Sequence, residues 1–199
     1  MKDKTRTILI EGIHTNISRI SIFDLDGTLL DTDTPESGKK VWLDTFGFEW
    51  PFKGWWGRPE SLDSRIYFKK NNIDSKLGLS KNIFDNEPIK TTLSAYNKES
   101  SRPDTFNILL TGRHSGIGWL VTNILNDKGF KFDEYIYKTG NLDTADFKVG
   151  VFDKLIELNP NLIEINIWED RNDHLPVFKE WGLKQKIEVN VHHITDATK

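Results

Sequence analysis

The stretch ISIFDLDGTL (Ile20–Leu29) passes from a mainly apolar run into two aspartates, Asp24 and Asp26, and then a glycine. Such a run suits a strand buried on both faces, the kind found in a parallel sheet. Carboxylates crowded at the end of a buried strand are costly unless something cationic sits among them. Four aspartates fall between Asp24 and Asp33. Their meaning depends on what else the chain delivers to the same strand end.

The second half of the chain alternates between strand and helix signals. FNILL (Phe106–Leu110) is a short apolar strand. In the segment after it, Ile117, Leu120, Val121, Ile124 and Leu125 share one helical face, and Gly129 marks the stop. DEYIYK (Asp133–Lys138) predicts a strand, Phe147–Pro160 a helix, LIEINIW (Leu162–Trp168) a strand, and Asp173–Gly182 a short helix with Pro176 in its first turn. IEVNVHH (Ile187–His193) predicts the last strand. With Ser18–Phe23 this makes five strands separated by helices, an α/β fold with a Rossmann-like parallel five-stranded sheet and helices on both faces.

The first crossover is too long to be simple. Residues 32–103 therefore predict an inserted, mainly helical cap, set in a core made of 1–31 and 104–199. Helices are expected there near Glu36–Phe46, Leu62–Lys70 and Ile89–Glu99, and an edge strand around Ile8–Ile10 in the core.

Composition bounds the function class. The 199 residues carry a net charge of −3, which excludes a protein that coats polyanions through bulk charge. No cysteine is present, so neither thiolate chemistry nor a disulfide-linked partner is expected. The opening MKDKTRTILIEGIH lacks the apolar stretch of a signal peptide, and no run approaches membrane-spanning length. A cytoplasmic protein without a membrane partner is the expectation.

Ligands of open parallel sheets bind beyond the carboxyl ends of the strands, where the strand order reverses. The reactive side chains sit at those ends: Asp24 and Asp26 after the first strand, Thr111-Gly112-Arg113 after the second, Glu169-Asp170 after the fourth. Packing alone does not explain three strand ends delivering carboxylates and a hydroxyl to one rim.

At these positions the chain resembles the haloacid dehalogenase (HAD) superfamily. FDLDGTL is similar to its first motif, LLTGR to its second, Lys148 in TADFK to its third and IWEDRNDH to its fourth. The wording of the motifs is most similar to HAD domains of the Swiss-Army-knife RNA-repair type. The resemblance implies a phosphatase in which Asp24 is the nucleophile that forms an aspartyl-phosphate, and Asp26 protonates the leaving oxygen and later activates water. It implies that Thr111 and Lys148 contact the transferring phosphoryl group. Carboxylates gathered around an anionic phosphate need a hard cation, and oxygen ligands suit Mg²⁺. The expected ligands are Asp24, the main-chain carbonyl of Asp26, and Asp170, helped by Glu169 or Asp173.

Several alternatives stay open at this level. Lys138 competes with Lys148 as the motif lysine. Arg113 either binds substrate phosphate or ties carboxylates together, and His174 either partners the acidic motif or caps a helix. Asp31 and Asp33 read as turn residues. Trp50, Trp55 and Trp56 lie among Lys53 and Arg58. Aromatics interleaved with bases can stack nucleobases, which makes Trp55, Trp56 and Arg58, with Gly112 and Arg113, candidate substrate contacts. The same tryptophans would also serve as the cap's own core. The expected substrate is a nucleotide or nucleic-acid-end phosphate. The alternatives are a phosphorylated small molecule such as a sugar phosphate, or a non-catalytic HAD-like binding module.

Overall fold

The computed structural model describes residues 17–73 and 80–195. The edge strand expected at Ile8–Ile10 lies outside the described residues. In chain order the strands are β1 (Arg19–Phe23), β2 (Leu30–Asp31), β3 (Glu87–Pro88), β4 (Thr105–His114), β5 (Glu134–Lys138), β6 (Glu164–Glu169) and β7 (Glu188–His193). The described helices are α1 (Pro35–Phe46), α2 (Arg65–Lys70), α3 (Lys90–Ser100), α4 (Gly118–Asp127), α5 (Thr144–Leu158) and α6 (His174–Gly182). Among them none is long and apolar enough to cross a membrane.

Five strands pair in parallel in the order β5-β4-β1-β6-β7, so the fold is the α/β sheet expected from the alternation. Alternation along β1 decides which layer covers which face. Ile20 and Ile22 point into a layer with Val151, Phe152 and Leu155 of α5 and Phe178 and Trp181 of α6. Phe23 points the other way, into a layer with Tyr96 of α3 and Leu120, Val121 and Leu125 of α4.

Between β1 and β4 the chain leaves and returns through the antiparallel ribbon β2–β3, with Leu30 opposite Pro88 and Asp31 opposite Glu87. Residues 32–73 and 80–86 lie beyond that ribbon. They hold a separate apolar cluster of Trp42, Trp55, Phe68 and Phe84, joined by Trp50 and Tyr67. Trp42 is fully buried, with the Trp50 ring edge-on at 5.0 Å. Gly38 makes room for this packing, because a Cβ there would fall 2.1 Å from the Trp55 ring. Helix α3, grouped with the insertion on chain position, packs against the sheet. Its Tyr96 ring stands 5.9 Å from Phe23, and its hydroxyl donates to the Lys131 carbonyl at 2.6 Å.

Register positions the strand ends. Phe23 of β1 pairs with Leu109 of β4 on one side and with Trp168 of β6 on the other. Asp24, Glu169 and Asp170 therefore emerge at one level, and the Asp24 amide donates to the Trp168 carbonyl at 3.1 Å.

Candidate active site

Asp24 is buried as β1 ends, and its Oδ1 accepts a 2.6 Å hydrogen bond from Lys148 Nζ. Lys148 stands on α5, whose start is capped by Asp143 through the Ala145 amide at 2.8 Å. The same ammonium donates to Glu169 Oε2 at 2.7 Å, so it bridges two strand ends. The structure thus places Lys148, rather than Lys138, between the carboxylates. His174, buried at the start of α6, brings Nδ1 to 3.3 Å from the same Glu169 oxygen.

Asp24, Glu169 and Asp170 each offer a carboxylate oxygen, and these oxygens lie within 4.8 Å of one another. Gly27 permits this approach. It adopts φ +69°, and a Cβ there would lie 2.3 Å from Asp170 Oδ2. Asp173 stays out of the group. It is exposed and paired with Arg171 at 2.5 Å.

The three carboxylates differ in what neutralises them. Burial lifts Asp24 well above the usual carboxylate range, with Lys148 opposing and Glu169 and Asp170 adding to the rise. Burial, and then the charge of Glu169, pushes Asp170 up to about 6. Burial also acts on Glu169, but Lys148 and His174 outweigh it and hold the group at about 2. Burial works against the Lys148 charge, yet Asp24 and Glu169 raise its pKa above the usual lysine value. One ammonium facing three acids leaves a deficit of positive charge that an oxygen-seeking divalent cation would fill. The donor set fits such an ion, with Asp24 and Asp170 the acids that the protein itself neutralises least.

Asp26, two residues on, is held by Arg113. The guanidinium donates to Asp26 Oδ2 at 2.8 Å through Nε and to Oδ1 at 2.7 Å through Nη2, and the Thr32 hydroxyl donates to Oδ1 at 2.7 Å. Arg113 is fully buried, and its Nη1 reaches into the insertion, to the Trp56 carbonyl and Ser61 Oγ, both at 3.1 Å. Of the two roles open to Arg113, the structure shows it tying a carboxylate. Its position follows from the strand. Thr111 pairs with Tyr137 and His114 with Lys138, so Gly112 and Arg113 are extra residues in a bulge that turns the arginine inward. The buried Thr111 hydroxyl accepts from the Arg113 amide at 3.1 Å, which leaves its own proton available to donate.

Asp24, Asp26, Lys148, Asp170 and His174 line an open cleft of about 760 Å³ between the strand ends and the insertion, whereas Glu169 and Thr111 are buried and do not line it. Gly112, Arg113, Trp55 and Trp56 line it too. Trp55 is mostly committed to the insertion core, with its indole N–H on the Asp33 carbonyl at 3.0 Å. Trp56 is 40% exposed, with Arg113 Cζ 5.3 Å from its ring centroid. Arg58 is not among the cleft residues. It sits over Phe52 and donates to the Lys53 carbonyl at 3.3 Å. Thr32, Ser61 and the Trp56 carbonyl carry no motif, so sequence reasoning missed them. Thr32 alone had a signal, as a hydroxyl inside the acidic run.

Residues 49–199 match the family described as HAD domain family 1 in Swiss Army Knife RNA repair proteins. An uncharacterized protein of Saccharomyces cerevisiae is 24% identical over 180 residues, which span 83% of this chain and 37% of the yeast protein. Among solved structures, a chain of the Pnkp1/Rnl/Hen1 complex superposes with a TM-score of 0.52 at 13% identity, over 96% of this chain and 51% of that one. A haloacid dehalogenase-like hydrolase of Streptococcus pneumoniae superposes with a TM-score of 0.47 at 15% identity, over 90% and 95%. The chain thus spans about a third to a half of the length of the first two. Membership of the superfamily implies a phosphohydrolase-type fold. By its match over residues 49–199, together with the strand-end acids and the lysine between them, the chain belongs to HAD domain family 1 of the Swiss Army Knife RNA repair proteins.

Proposed function

We propose that this chain is a Mg²⁺-dependent phosphohydrolase that passes its phosphoryl group through Asp24, and that its substrate is a nucleotide or nucleic-acid-end phosphate. The observation that carries the reading is Asp24 itself, a buried carboxylate at a strand end, fixed by Lys148 and opening onto a cleft. In the first step an Asp24 oxygen attacks phosphorus, the P–O bond to the leaving group breaks, and Asp26, entering the step protonated, gives its proton to the departing oxygen and is left as the carboxylate that Arg113 holds. In the second, Asp26 takes a proton from water, which attacks the aspartyl-phosphate and releases inorganic phosphate and free Asp24. Lys148 offsets charge on Asp24 and the phosphoryl oxygens, and Thr111 donates a hydrogen bond to the phosphoryl group. Bound Mg²⁺ would supply further positive charge, held by Asp24, Asp170 and the main-chain carbonyl of Asp26, with Glu169 beside them. Residues 32–73 and 80–86 act as the cap that covers the cleft.

The family's tie to RNA repair and the exposed Trp56 face beside Arg113 support the nucleic-acid part of the reading. The test is Mg²⁺-dependent phosphate release from nucleotides, 3′- and 5′-phosphorylated oligonucleotides and sugar phosphates. Phosphorylated oligonucleotide ends should be hydrolysed fastest. Equal, feeble rates on everything would remove the substrate assignment, and no release from any would remove the phosphohydrolase.

The acidic group also predicts a pH dependence. Asp170 is raised to about 6, so the folded state binds its proton more tightly than the unfolded state does. That contribution is complete below the ordinary carboxylate range and is lost as pH rises from about 4 through about 6. Asp24 acts with the same sign, whereas Glu169, held at about 2, acts oppositely in a lower window. At about 1.4 kcal/mol per pKa unit, the melting temperature in EDTA should fall by roughly 5–10 °C across the Asp170 window. Mg²⁺ should raise it more at about pH 7 than at about pH 5, because protons compete for the same oxygens. A Mg²⁺ shift of equal size at both would count against metal binding by these acids.

A further inference from the structure

Lys138, the lysine not placed between the acids, lies in the same cleft as Asp24. Most cations there are spoken for. Lys148 is engaged by Asp24 and Glu169, Arg113 by Asp26, and Arg171 by Asp173. Lys138 has no ion-pair partner among the described residues. The bulge that turns Arg113 inward brings the chain back into register at His114, which pairs with Lys138 across β4 and β5. The result is two adjacent basic side chains on the cleft wall, His114 exposed and Lys138 partly so.

Their placement sets a scale. Asp24 directly follows β1, and Lys138 ends β5, two strands away across β4. At the usual strand spacing that is roughly 10 Å sideways, farther than one phosphate can bridge. A lysine side chain covers part of the gap, and a substrate extending along the rim covers the rest.

We infer that Lys138, with His114, forms a second anion subsite that receives another phosphate of the substrate, one nucleoside away from the phosphate hydrolysed at Asp24. This rests on the phosphohydrolase reading and narrows it to phosphate esters that carry a second phosphate. Lys138 is then a specificity-determining residue and takes no part in the bond changes. Such a phosphate occurs both in a nucleic-acid strand and in a free nucleoside bisphosphate. The subsite reads the charge, and the source is decided by length.

The test compares uridine 3′,5′-bisphosphate, uridine 3′-monophosphate and a 3′-phosphorylated pentauridylate, using the full chain with Mg²⁺. The expected ratio of kcat/KM, bisphosphate over monophosphate, is about fivefold, the scale of one exposed charge contact. It should collapse toward one in Lys138→Ala, mainly through KM, and return in Lys138→Arg. His114→Gln should reduce it partly. Preference for the pentauridylate over the bisphosphate would make the second phosphate part of a strand. Equal rates on those two would make it a free bisphosphate. A ratio of one or less in the unaltered protein, or one that Lys138→Ala leaves in place, overturns the subsite. If no nucleotide is hydrolysed, the phosphohydrolase reading fails by itself. The subsite is then decided by calorimetric binding of the bisphosphate and monophosphate to the unaltered and Lys138→Ala proteins, with the same fivefold gap expected and its absence overturning the proposal.

Discussion

Asp24→Asn is expected to cut phosphate release by roughly 10⁴-fold or more, the scale on which losing a nucleophile acts in other enzymes. The same change should not destabilise the fold, and in EDTA it should raise the melting temperature. The two effects share one cause. An amide of the same shape cannot attack phosphorus, so chemistry stops. Charged Asp24 is at the same time a burden on the folded state, because burial and the neighbouring acids lift its pKa well above the usual range despite Lys148. A raised carboxylate pKa means stability is lost as pH rises, so a neutral side chain gains its advantage at neutral and alkaline pH. Lys148 keeps Glu169 as a partner in the variant, so no buried cation is abandoned. The variant's gain in melting temperature should therefore be larger at about pH 7.5 than at about pH 5. Phosphate release persisting in Asp24→Asn would end the nucleophile assignment. Lost activity with a lowered melting temperature would instead make Asp24 a structural partner of Lys148. A site that is less stable because it is reactive is the usual trade between function and stability.

How far this arrangement is legible in the sequence depends on whether each contact leaves a local mark. Strand ends do. Phe23, Leu109 and Trp168 close apolar runs, and parallel register then brings Asp24 level with Glu169 without further information. Asp31 and Asp33 read as turn residues, and the structure puts Asp31 in β2 while the Asp33 carbonyl receives the Trp55 indole. The choice between Lys148 and Lys138 is not local. Both lie on the chain between β4 and β6, and only the docking of α5 against β1 decides which one reaches Asp24. The tryptophans are similar cases. Trp42, Trp50 and Trp55 form the insertion's apolar cluster, while Trp56 is turned out toward the cleft, and composition is the same for all four. Arg113 is the hardest case. Two of its partners, the Trp56 carbonyl and Ser61 Oγ, are a main-chain atom and an unremarkable serine more than fifty positions away.

Those partners make Arg113 the second site of large effect. Arg113→Met is expected to cost about 3–5 kcal/mol, the range for removing one member of a buried charge pair. That is a fall of about 10 °C or more in melting temperature for a chain of this size. The methionine retains bulk, so the loss is electrostatic and polar rather than a cavity. Asp26 would keep the Thr32 hydroxyl but lose the guanidinium across both its oxygens. The Trp56 carbonyl and Ser61 Oγ would lose a shared donor, loosening residues 56–61 from the strand ends. Arg113→Lys is the informative companion. It keeps the charge but offers a point donor in place of a planar fork, so it can serve Asp26 or the insertion and not both. It should therefore recover part of the stability while phosphate release stays well below that of the unaltered protein, roughly a hundredfold if Asp26 is displaced from its line of proton transfer. Hydrogen exchange separates the two consequences. Faster exchange at residues 56–61 in Arg113→Lys would show the tie to the insertion broken, whereas slowed catalysis with unchanged exchange would place the loss at Asp26 alone. Full activity in Arg113→Lys would mean that charge suffices and that the three-way grip on Asp26, Trp56 and Ser61 is not what aligns the proton donor.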